Sequence, residues 1–206
     1  MQNGIIYTIL KYIFDNLKYL SLVELFKFLS VKFFADKTNI LSIVKYSRIA
    51  VDIFIILKWI LVIILLKYSI NNSFLTFLIW YLIISNLYTY FYYHVWKEES
   101  LKPDNFSIDR VRRRFITLMI SIGFSNLCFA YLFRLPYVSD FKWSNDLPLN
   151  IKSLWFSYAN SITASYEYVK PITETGINLT ITQLIISFIF LTIILGKSIP
   201  QTSSTS

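Results

Sequence analysis

A chain of 206 residues with 55% hydrophobic and 18% aromatic side chains but only 16% charged ones is too apolar for a soluble domain, where about a quarter of residues carry charge. The formal charge of +8 does not signal direct nucleic-acid binding, because the basic residues flank apolar runs, where membrane orientation accounts for them. One cysteine, Cys128, excludes an internal disulfide; with a single histidine, no Gly-rich phosphate loop and no metal-ligand spacing, no catalytic, cofactor-binding or metal set is visible and the chain reads as non-enzymatic.

Residues 5–34 are apolar but interrupted by charge. Lys11, Asp15 and Lys18 repeat at spacings of four and three, which puts them on one helical face. That face does not continue to Glu24 and Lys27, and Ser21 followed by Glu24 reads as a capping box. Two short helices meeting near Ser21 are therefore predicted. They lie either in the cytoplasmic membrane interface or as a packed cytoplasmic hairpin. The same interruptions argue against a cleavable signal peptide.

The first span is predicted over Ile49–Tyr68, with Asp52 and Lys58 as charges inside it. An unpaired charge at the middle of a membrane costs at least about 2.5–3.5 kcal/mol, so Lys58 is either functional or held by a partner in the bundle. Ser69-Ile70-Asn71-Asn72-Ser73 is a polar turn, and a second span follows over Phe74–Val95. Tyr88, Tyr90, Phe91, Tyr92, Tyr93 and Trp96 end it as an aromatic belt, with His94 as an interfacial residue within it. Asn86 here and Asn126 in the next span are candidates to hydrogen-bond across helices.

Residues 97–114 form the most charged segment. Pro103 stops the preceding helix and Ser107 can cap the next. Arg110, Arg112 and Arg113 are the candidate contacts for a cytoplasmic partner protein, since the segment is longer than a bare connection needs; setting topology beside anionic lipid is their other reading. A third span is predicted over Phe115–Phe133. After a Pro- and Trp-containing loop comes an amphipathic run, Ile151–Tyr166, too short and too polar to span. The last span covers Ile177–Leu195 and precedes a polar tail over 198–206.

Basic residues set the orientation. Segment 1–49 holds seven and segment 97–114 holds six, against four in the loop 134–176. Four spans put both termini and the middle loop on the richer side, which is the cytoplasmic one. The heavy use of Ile, Lys, Asn, Phe and Tyr suits an AT-rich bacterial gene, so the expected location is a bacterial inner membrane. The predicted fold is an all-α integral membrane protein: N-terminal interfacial helices (1–48), a two-span hairpin (49–96), the charged loop (97–114) and a final module (115–197) in which a short re-entrant helix precedes the last span.

That final module resembles the pore of the tetrameric potassium-channel family, whose pore helix and filter read, in outline, F-S-x-x-T-x-T-T-V-G-Y-G-D-x-x-P-x-T-x-x-G. Without gaps, Phe156, Ser157, Thr163, Tyr166, Pro171, Thr173 and Gly176 fall on matching positions. The resemblance implies a homotetramer around a pore loop, Thr163, Ala164, Ser165, Tyr166 and Glu167. The departures are specific. Ser165 and Glu167 stand at the two filter glycines and Tyr168 at the family's aspartate. A filter turns successive carbonyls toward the ion, and glycine permits backbone angles that Ser and Glu resist. The resemblance thus carries the fold without potassium selectivity; the alternative is that 151–176 is only a re-entrant or surface helix packing the outer ends of the spans. Glu167 is then either part of an acidic ring at a pore mouth or a solvated loop residue.

In overall character the chain also looks like the membrane subunit of the Kiwa anti-phage defence system: small, four spans, a large basic cytoplasmic face and no chemistry of its own. That likeness implies a sensor that couples phage attack at the membrane to a cytoplasmic effector. The competing expectation is a weakly selective or gated channel that depolarises the cell.

Overall fold

The structure is a computed structural model, and it describes residues 4–36, 38–97, 108–144, 147–194 and 196. It consists of seven α-helices and one short β-ribbon among these residues. Four of the helical segments are long and apolar enough to cross a membrane: Ile40–Lys67, Ser73–Trp96, Ile108–Arg134 and Glu174–Thr192. A multi-pass, all-helical membrane protein fits this architecture. The chain divides into two compact units, Met1–Leu61 and Val62–Ser206, the division falling inside the first of these helices.

In the first unit, α1 (Ile5–Leu17) leads through a 3-10 turn into α2 (Leu22–Phe34). The break falls where the charged face fails to continue. Ser21 sits at the N-cap with extended backbone, but its side chain makes no capping bond. Glu24 pairs with Lys27 at 2.7 Å, and the Ser21 half of the predicted capping box is not made. Helix α3 (Ile40–Lys67) begins nine residues before the predicted start of the first span. Lys45 and Arg48 lower hydropathy without opposing helix, since straight-chain basic residues are good helix formers. Asn39 turns the chain into α3, its side chain accepting from the Leu41 N–H at 2.9 Å. Phe26 of α2 packs on Phe54 of α3 with centroids 5.1 Å apart, and Ser30 Oγ donates to the Tyr46 carbonyl at 3.1 Å.

The second unit starts with the end of α3 and its turn. Ser69 adopts a positive φ of 52° and Asn72 caps α4 (Ser73–Phe91), accepting from the Leu75 N–H at 2.8 Å. Helix α4 continues as a π-helical turn over Tyr92–Trp96 that carries Tyr92, Tyr93 and Trp96 of the aromatic belt; the His94 ring stacks on Tyr90 at 5.4 Å. The expectations for Pro103, for Ser107 as a cap and for the tail lie outside the described residues. Helix α5 (Ile108–Arg134) is the centre of the unit: Leu127–Phe133 is buried on every side, Cys128 included. Phe133 meets Phe156 and Phe141 at centroid distances of 4.9 and 5.1 Å, which ties α5 to α6 (Leu149–Ser161) and to strand β1 (Phe141–Trp143). Strand β2 (Val169–Pro171) pairs antiparallel with β1, Lys142 opposite Lys170. This ribbon is an addition to the all-helical expectation. Its two three-residue strands are too short for an alternating pattern to be read. Helix α7 (Glu174–Phe188) completes the unit, capped by Thr173, whose hydroxyl accepts from the Gly176 N–H.

Candidate functional site

The module α5–β1–α6–β2–α7 holds the pore-loop residues, and helix α6 is polar on its inner side. Lys152, Ser153, Phe156, Ser157, Asn160 and Ser161 are buried, while Ile151, Trp155, Tyr158 and Ile162 are exposed. A short helix with serine and asparagine turned inward needs partners there, because an unpaired buried polar group costs about 1–3 kcal/mol. The partners come from the flanking span-length helices. Ser157 Oγ donates to the Asn126 carbonyl at 2.7 Å, and Asn126 Nδ2 donates to Ser161 Oγ at 3.1 Å. From α7, the fully buried Gln183 donates through Nε2 to Ser157 Oγ at 2.7 Å and to Asn126 Oδ1 at 3.2 Å. Its Oε1 accepts from Asn160 Nδ2 at 2.8 Å, and the same Asn160 amide reaches the Thr180 carbonyl at 3.1 Å. Three helices are thus fastened by one polar knot.

Asn126 takes the cross-helix role expected of it, and so does Asn86, whose Nδ2 donates to the Ser121 carbonyl at 3.2 Å. The knot as a whole goes beyond what the sequence pattern predicts. Its signal there is the spacing of Ser153, Ser157, Asn160 and Ser161, which share a helical face, together with a glutamine inside a predicted span.

The loop after α6 is built by a helix-ending motif. The Ala164 N–H donates to the Ala159 carbonyl at 2.8 Å and the Thr163 N–H to the Asn160 carbonyl at 3.0 Å, with Thr163 at a φ of 60°. This is the left-handed C-terminal turn that glycine usually occupies. Thr163, Ala164, Ser165 and Glu167 are exposed and Tyr166 is half-buried. Two loop carbonyls are engaged inside the chain: that of Tyr166 by the Val169 N–H at 3.3 Å and that of Tyr168 by the Ser144 N–H at 2.8 Å. Burial, and then the neighbouring Tyr168, push the Tyr166 phenol above the usual tyrosine range, so it stays protonated at neutral pH. The two rings form an edge-on pair 5.4 Å apart.

The other candidates are dispersed. Lys58 is only 7% exposed, and its ammonium lies 5.9 Å from the Phe54 ring centre; Asp52 is exposed. Arg110, Arg112 and Arg113 are all exposed on the first turns of α5. Arg134, which enters the charge count as an outer-loop residue, ties down the turn after α3: Nη1 donates to the Leu66 carbonyl at 2.7 Å and Nη2 to Ser69 Oγ at 2.9 Å. In comparisons with known proteins, the chain matches no family model, no curated protein and no solved structure.

Proposed function

We propose that this protein is a non-enzymatic membrane sensor or scaffold, built as a homotetramer of channel-like pore modules that lack potassium selectivity and coupled to a cytoplasmic effector. The observation that carries the reading is the α6 wedge. A short helix held between two span-length helices by its polar face, followed by a loop and then the last helix, has the order of a pore module with α6 as its re-entrant helix. The loop supports a loss of filter chemistry. Replacing the water shell of a potassium ion takes successive carbonyls on one axis. Here the Tyr166 carbonyl already accepts within the chain and a threonine holds the left-handed turn. Glu167 adds a second obstacle, since four carboxylates around one axis would repel.

The basic residues at the start of α5 support a cytoplasmic docking face, with both termini on the same side of a bacterial inner membrane. The likeness to the Kiwa membrane subunit points to anti-phage defence as the setting. The second reading, a weakly selective or gated channel that depolarises the membrane, is favoured by the exposure of Ser165 and Glu167 in the loop. Planar-bilayer recording of the purified protein in asymmetric potassium and sodium chloride separates the two. The platform reading predicts no current. A steady current of weak cation preference supports the channel, and a reversal potential at the potassium value contradicts the loss of filter chemistry.

A further inference from the structure

Helix α1 presents an amphipathic surface whose isoleucine face is exposed. None of its residues is buried. Ile6, Ile9, Ile13 and Leu17, at helical spacings of three and four, are 76%, 54%, 44% and 36% exposed. Opposite them run Lys11, Asp15 and Lys18. At 13 residues the helix is too short to span, being about 20 Å long against a hydrocarbon core of about 30 Å. Left in water, its apolar face would be the kind of contiguous patch that marks an interaction surface.

Charge decides the occupant. Residues 1–48 carry seven basic side chains, and Asp15, Glu24 and Asp36 are the only acidic ones, a balance complementary to a negatively charged leaflet. The Lys18 ammonium lies 4.9 Å from the Tyr19 ring centre and that of Lys32 lies 5.9 Å from Phe28 and Phe33, so these basic groups sit beside aromatic surface. A long aliphatic stem along an apolar surface with its charge at the edge is how lysine sits at a lipid interface.

We propose that α1 is an anionic-lipid-binding helix, lying in the membrane plane with its isoleucine face at the acyl boundary and Lys11 and Lys18 at the level of lipid phosphates. The inference rests on the membrane-protein reading and deepens it by naming the lipid class. The test uses the full-length chain with Cys128→Ala, spin-labelled at Ile9→Cys, in nanodiscs of phosphatidylcholine alone or with added phosphatidylglycerol. Collision with oxygen against a water-soluble nickel chelate reports depth. The expected result is an oxygen-rich, nickel-poor label with phosphatidylglycerol, and a several-fold rise in nickel access in phosphatidylcholine alone and in the Lys11→Glu/Lys18→Glu variant. Equal access in both lipids overturns the proposal, as does a label shielded from both reagents, which means protein covers the helix. A second label at Ile185→Cys, exposed on α7, keeps the two levels apart: nickel access there refutes the membrane reading itself.

Discussion

Gly176 is a residue whose size the fold constrains tightly. A Cβ built on it would stand 2.6 Å from the Asp140 carbonyl oxygen and 3.3 Å from Pro171 Cβ, and both neighbours are fixed by the β-ribbon and the Thr173 cap. Backbone cannot give way as a flexible side chain can, so Gly176→Ala is expected to lose about 1–3 kcal/mol, read as a lower thermal midpoint in detergent. Thr163 is the opposite case. It holds a left-handed turn at a cost of about 1–2 kcal/mol, against which a glycine there would lose about 0.4–1 kcal/mol through its freer unfolded state. Thr163→Gly should therefore raise stability slightly, by about 0.5–1 kcal/mol; a lower midpoint would mean the threonine makes a contact in the assembly. Gln183 is expected to matter more than a typical polar residue between membrane helices, where a single bond averages about 0.6 kcal/mol. It closes the knot with both of its amide atoms, and Gln183→Leu strips Asn126 Oδ1 of its donor. A loss of about 1–3 kcal/mol is expected, with Gln183→Glu intermediate in the same melting assay.

At the scale of elements, the spans are legible in the sequence because an apolar run of about 20 residues matches the thickness of a bilayer core. Their ends are less so. Hydropathy falls at Lys45 and Arg48, yet α3 runs back to Ile40, since helix propensity and membrane depth are separate properties of the same residues. The polar turn at 69–73 is readable from its Ser and Asn content, and Asn72 does cap α4. The ribbon is not, because Phe141–Trp143 and Val169–Pro171 pair across 25 intervening residues with nothing local to mark the partnership. At the candidate site, sequence pattern locates the short helix and its loop but not the work of its inner face. Ser157 fits a pore-helix position, and in the structure it bonds Asn126 and Gln183, partners on two other helices that no local spacing reveals. The element that carries the partner prediction is the start of α5. Arg110, Arg112 and Arg113 lie there exposed, and reversing all three to Glu is expected to abolish co-purification of the proposed cytoplasmic partner while the protein still inserts. Normal insertion with the partner retained would leave these arginines with orientation alone.

For the whole molecule, the central question is how many chains make one assembly. A pore module encloses an axis only when copies surround it, and closed cyclic symmetry is the common solution for oligomers. In a single chain the exposed stripe of α6 and its C-cap, with Trp155 at 60% and Ile162 at 65%, is left uncovered by α5 and α7. Partner binding, lipid contact and any residual conduction would all be read differently in a monomer. Native mass spectrometry of the detergent-solubilised protein measures this directly. A dominant species of four copies of the 24.4 kDa chain is expected; a stable monomer or dimer would contradict the pore-module reading.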